Sequence, residues 1–208
     1  MVRERPAGDP TERAEAGGVR TLDEDITATD PRSIANLILK TANRAISNLE
    51  LQKLLYFAHA AYIMRAKRPL VSGYFEAWTY GPVHPAVYSA FKAFGSEPIT
   101  TLAQKKDLRT GQLREIDLPT DPEIVSVVKK TVHALGDLTP GQLVKLSHAK
   151  DSAWDVVFAK SKNERMLGLR IANELIKERY RNHWLSAEHL DDVEEPSEDT
   201  PLTYHRFS

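Results

Sequence analysis

Seven histidines are the chain's most versatile chemical groups: His59, His84, His133, His148, His183, His189 and His205. A neutral imidazole can ligate zinc, and a positioned one can move protons. None of them lies in an HExxH, and none stands with a carboxylate at a familiar ligand spacing. A site built by folding from His59, His84 and His148 is conceivable, but single histidines on helices more often cap or pack. Ser147 adjoins His148, yet a nucleophile and its base are matched by geometry, not by adjacency in sequence. There is no GxSxG, no Walker loop, no dinucleotide fingerprint and no cysteine. The chain therefore reads as a non-enzyme that needs no cofactor and no metal.

The second group with chemical potential is the aromatic and proline cluster "EAWTYGPVHPAVYSAFKAFG", Glu76 to Gly95. Tryptophan and tyrosine give contact area at low entropic cost, and prolines pre-organise the backbone. If Tyr74 to Tyr80 is a strand, Glu76, Trp78 and Tyr80 share one face while Phe75, Ala77 and Thr79 share the other. One face would pack and the other would be at least partly available for a partner. The competing reading is a local core shaped by the prolines.

The elements that must position these residues are mainly helical. Asp30-Pro31 reads as an N-cap with proline at the first helical position, followed by Ile34, Leu37, Ile38, Ala42 and Ala45 at helical spacing. Ser47-Asn48-Leu49-Glu50 is a capping box with Ile46 and Leu51 as its staple, and Leu51, Leu54, Leu55, Ala58 and Tyr62 make a buried stripe. Gly81-Pro82 ends the strand, and a helix then runs from about Pro85 to Phe94 with Gly95 as its stop. "LREIDL", Leu113 to Leu118, alternates and could pair with the first strand. Ile124, Val127, Val128, Val132 and Leu135 form another stripe after Asp121-Pro122. Thr139 to Gln142 is a second capping box, with Leu138 and Leu143 as staple. A helix after Asp151 or Ser152 carries Trp154, Val157 and Phe158, and a last long helix covers roughly Glu164 to Trp184. Leu54, Leu55, Phe57 and Trp154 belong in the core. The fold class is mainly α with a small antiparallel β element (α+β), a single compact helical domain over residues 30–185. Residues 1–29 read as a disordered tail and 186–208 as an acidic C-terminal tail.

The 208 residues carry a formal charge of −1 that hides an asymmetry. Residues 1–30 hold 8 acids and 4 bases, and residues 186–208 hold 7 acids and 1 base, which leaves 23 bases and 14 acids, a net of +9, between them. A basic centre favours acidic partners, either nucleic acid or an acidic protein surface. The lack of cysteine suits a reducing cytosol, the N-terminus has no apolar signal region, and no run is long enough for a membrane span. A winged-helix arrangement would use the second helix for recognition, but "LELQKLLYFAHAAYIM" is apolar over most of its length. Only Gln52, Lys53 and His59 could face base edges.

Two segments together resemble a known family. "LQKLLYFAHAAYIMRAKRPL" followed by "FEAWTYGPVHPAVYSAFKAFG" is similar to the Panacea domain family of bacterial and phage proteins. Leu51 to Phe57 match its first motif. Glu76 to Trp78, Tyr80 to Val83, Pro85, Val87 and Tyr88 match its second. Leu146-Ser147-His148 and Trp154 resemble a later one. His59 departs from the glutamine expected there. The likeness covers about residues 32 to 185. It implies an antitoxin that binds a cognate toxin protein. SocA-like members act as adaptors that present the toxin to ClpX of the ClpXP protease, so that partner is implied as well. The expected partner-binding residues are Trp78, Tyr80, His84 and Tyr88, with the basic Lys53 and Arg65 nearby. The alternative is a nucleic-acid-binding transcriptional regulator. A cytoplasmic, non-membrane setting accompanies both readings.

Overall fold

The computed structural model describes residues 28–164 and 169–185. The two tails lie outside them, apart from Ala28 and Thr29. Thr29 belongs to the folded part: its N–H donates to the Leu70 carbonyl (3.0 Å), and its own carbonyl accepts from Ser72 (2.9 Å).

Four of the helices begin at a side-chain cap that the sequence offers, at Asp30, Ser47, Asp121 and Thr139. In α1 (Pro31–Thr41), the Asp30 carboxylate accepts the Arg32 N–H at 2.9 Å. In α2 (Asn48–Ala66), the Ser47 hydroxyl accepts from the Glu50 N–H, and the Glu50 carboxylate accepts the Ser47 N–H at 2.7 Å. Helix α2 is the axle of the molecule. Asn48 through Ala60, then Tyr62 and Ile63, are all buried, so the stripe read from sequence widens to the whole circumference. That geometry removes α2 as a recognition helix, because Gln52, Lys53 and His59 lie inside the protein.

Strand β1 (Phe75–Trp78) turns through Thr79 and Tyr80 into β2 (Gly81–Val83), with Glu76 opposite Val83, Ala77 opposite Pro82 and Trp78 opposite Gly81. Gly81-Pro82 therefore continues the sheet instead of ending it. The Ala77 N–H points the other way, to the Leu169 carbonyl at 2.9 Å, so Pro82 faces a position that asks no hydrogen bond of it. Next come α3 (Pro85–Phe91) and a 3₁₀ turn at Lys92–Phe94 that closes on Gly95.

Strands β3 (Gln104–Lys106) and β4 (Leu113–Glu115) form a separate antiparallel hairpin. "LREIDL" thus pairs with its own neighbour and not with β1, whose two edges are taken by β2 and by β5 (Arg170–Ile171). Helices α4 (Pro122–Leu135), α5 (Pro140–Ser147) and α6 (Ala153–Glu164) follow, the second with its predicted capping box at Thr139 and Gln142. The last long helix does not exist as one rod. The chain gives up helix at β5 to satisfy the open edge of β1, then resumes as α7 (Asn173–Arg179) and α8 (Asn182–Leu185). The core draws on α1 through α7 and the inner face of the first hairpin, and includes Leu54, Leu55, Phe57 and Trp154. The fold is mainly helical with small antiparallel sheets. Among the described residues no helix is long and apolar enough to cross a membrane.

Candidate partner-binding site

The first hairpin has the two faces expected of it. Phe75 and Ala77 are buried, while Glu76 and Trp78 are half-buried on the outer side. The outer side is ordered by its own contacts. The Trp78 Nε1–H donates to Glu76 Oε2 at 2.7 Å, and the Trp78 ring meets Tyr88 of α3 edge-on at 5.1 Å. Tyr80 sits half-buried at the turn. From behind, Trp154 of α6 donates its indole N–H to the Trp78 carbonyl at 2.8 Å. An aromatic surface held this way loses little freedom when a partner lands on it.

The inner side is a ladder of buried polar groups projecting from α2. Gln52 accepts the His84 N–H at 2.8 Å and donates to Asn48 at 3.2 Å. Lys53, expected near an interface, is fully buried and donates to the Pro82 carbonyl at 3.1 Å. Burial pushes its ammonium down to about 7, because a charge without solvent or a carboxylate is costly. Gly81 makes this approach possible. It stands at φ +102°, and a Cβ there would lie 2.5 Å from Ser147 Oγ and 2.8 Å from Lys53 Nζ.

His84 is also inside. Its Nε2 donates to the Ser72 carbonyl at 2.9 Å, its ring packs edge-on against Phe75, and burial lowers its pKa. Lys53 and His84 therefore shape the hairpin and are not available to a partner, whereas Trp78, Tyr80 and Tyr88 gather around it. Arg65 lies elsewhere: it is twelve residues along α2 from Lys53, about 18 Å, and pairs with Glu123 of α4 at 2.9 Å.

His59 and His148 are also taken up by the fold. His59 bonds Asn173 at 3.0 Å and accepts the Val71 N–H at 3.4 Å, which occupies both ring nitrogens, and burial lowers its pKa to about 4. His148 stacks flat on Trp154 at 3.6 Å; burial, helped by the Lys53 charge, pushes it down to about 3. The Ser147 hydroxyl donates to the Val144 carbonyl at 2.8 Å and not to a base. No group of three histidine, aspartate or glutamate side chains among the described residues is placed to hold a metal ion.

Residues 51–155 match the family model described as "Antitoxin SocA-like, Panacea domain". The chain belongs to this family. That span includes Gln52 and Lys53 of the polar ladder, both hairpins, and the Trp154 that backs Trp78. The Panacea chain is also 42% identical over 163 residues to a protein named Antitoxin SocA from Caulobacter vibrioides (strain NA1000 / CB15N), a match that covers 77% of this chain and 87% of that one. No solved structure matches significantly.

Proposed function

We propose that this chain is an antitoxin that binds a cognate toxin protein and neutralises it. The observation that carries the reading is its identity with Antitoxin SocA over most of both chains. The hairpin supports it by offering Trp78 and Tyr88, half-buried and fixed from behind, as anchors of the kind that dominate protein interfaces. Tyr80 joins them at the turn. Lys53 and His84 act through the backbone of the hairpin by setting its position, and Arg65 lies outside this patch. In the finer form of the proposal the chain is an adaptor that presents the bound toxin to ClpXP, in the cytoplasm.

The test is co-expression of the tagged chain with its neighbouring gene in a host lacking ClpP. A stoichiometric partner that is toxic on its own supports the antitoxin reading. Absence of any such partner contradicts it. The partner's half-life, measured with and without ClpXP, then separates delivery from simple blocking.

A further inference from the structure

The second hairpin shows side chains that the fold does not use. Leu108 at its tip is 97% exposed and Leu113 on β4 is 65% exposed; among the described residues they lead the short group of exposed large hydrophobics. Around them the charges are sorted. Asp107 accepts the N–H groups of Arg109 (2.8 Å) and Thr110 (3.1 Å), Glu115 pairs with Lys40 at 3.7 Å, and Asp117 pairs with Lys105 at 3.3 Å. Among the described residues Lys106, Arg109 and Arg114 have no carboxylate within ion-pair distance, against one carboxylate, Asp107, without a cation partner, so the arm's unpaired charge is positive on balance.

This arm is built, not loose. At its root the buried Asn36 of α1 grips Ala103 twice, accepting its N–H at 2.8 Å and donating to its carbonyl at 3.0 Å. Ser33 of the same helix donates to the Asp117 carbonyl. At its tip the Asp107 N–H donates to the Gln112 carbonyl at 2.8 Å, and Gly111 takes the left-handed conformation the loop requires. A rigid arm with an exposed apolar tip costs little entropy to dock.

It is also continuous with the aromatic patch. Helix α3 turns Val87 and Phe91 inward and leaves Tyr88 on one flank and Ala86, Ser89 and Ala90 across its outer arc. Those last three line a groove of about 570 Å³ whose far wall is the arm, at Gln104 and Leu113.

We propose that the β3–β4 arm and this groove extend the partner-binding surface, and that they take an acidic protein surface bearing an apolar pocket for Leu108. The proposal rests on the reading of the chain as a partner-binding antitoxin. A phosphate backbone fits less well. Asp107, Glu115 and Asp117 interrupt the positive stripe such a backbone would follow, and it has no use for a bare leucine at the tip.

The probe is the product of the neighbouring gene, titrated against the full chain and against Leu108→Asp and the triple variant Lys106→Glu/Arg109→Glu/Arg114→Glu. Leu108→Asp is expected to weaken binding by about 30-fold. The charge reversal is expected to weaken it by about 10-fold and to flatten its salt dependence, with thermal midpoints unchanged. Wild-type affinity in both variants overturns the arm and leaves the antitoxin reading standing. Failure of the wild-type chain to bind this product removes that reading and the arm's role with it. A random DNA duplex whose binding is lost on charge reversal, but not in Leu108→Asp, overturns the protein partner in favour of nucleic acid.

Discussion

The two hairpins of this chain use their side chains in opposite ways. The first draws a lysine, a glutamine and a histidine into the interior so that nine residues of backbone can lie against a buried helix. The second turns two leucines and three cations outward and asks the body only for a grip at its root. The family match covers both hairpins, yet side chains serve architecture around the first, and the charged, unshielded chemistry lies in the plainer second. A motif rich in reactive residue types is not thereby a reactive site: Lys53, His84, Ser147 and His148 all sit in it, and each has a structural task or a stacked neighbour.

The largest effect expected from this contrast comes from its glycines. Gly81 and Gly111 both have positive φ, but a Cβ at Gly81 collides with Ser147 and Lys53, while one at Gly111 meets nothing nearer than 4.0 Å. Gly81→Ala should destabilise by about 4 kcal/mol, combining clash with backbone strain. Gly111→Ala should cost about 1 kcal/mol, the strain alone. Urea unfolding of the two variants measures the difference, and equal losses would erase the distinction between the hairpins.

Acid should act on the first hairpin and its surroundings. Unfolded histidines bind protons near pH 6.5, whereas the folded His59 and His148 refuse them until about 4 and about 3, because burial disfavours the charged form. The unfolded state therefore takes up more protons as pH falls below 6.5, and stability declines. Between pH 6.5 and 5 the loss should be about 3 kcal/mol. Lys53 acts in a higher window. Its folded value of about 7 lies below the unfolded 10.5, so stability should climb as pH rises from 7 toward 10. Lys53→Met should abolish that climb while leaving the acid loss in place, as followed by thermal melts across pH.

At the small end of the stability scale, Leu108→Asp should change the unfolding free energy by no more than ~0.5 kcal/mol, since the side chain touches solvent almost everywhere. A large loss would mean that the second hairpin is also architectural.

Local signals in the sequence were the readable ones. The caps at Asp30, Ser47, Asp121 and Thr139 act through residues two or three positions away, and each appears where the sequence places it. The alternation of Phe75 and Ala77 against Glu76 and Trp78 also reads directly. What the sequence concealed depends on distant partners. The break in the last helix answers the open edge of β1, nearly a hundred residues earlier. Lys53 looks like a surface cation until the Pro82 carbonyl comes to meet it. The second hairpin could have been found, because "DLRTG" between two short polar strands carries turn chemistry. Its exposed leucines could not, since burial depends on what the rest of the chain covers.

The most direct test of the account is the affinity of the neighbouring gene's product for the Trp78→Ala chain, measured by calorimetry beside the wild type. Every backbone bond of the hairpin survives this substitution, including the one from Trp154 to the Trp78 carbonyl. The account predicts that binding weakens by about 2 kcal/mol or more while the variant remains folded. A folded Trp78→Ala chain that binds with wild-type affinity would contradict it, and would make the aromatic surface part of the scaffold alone.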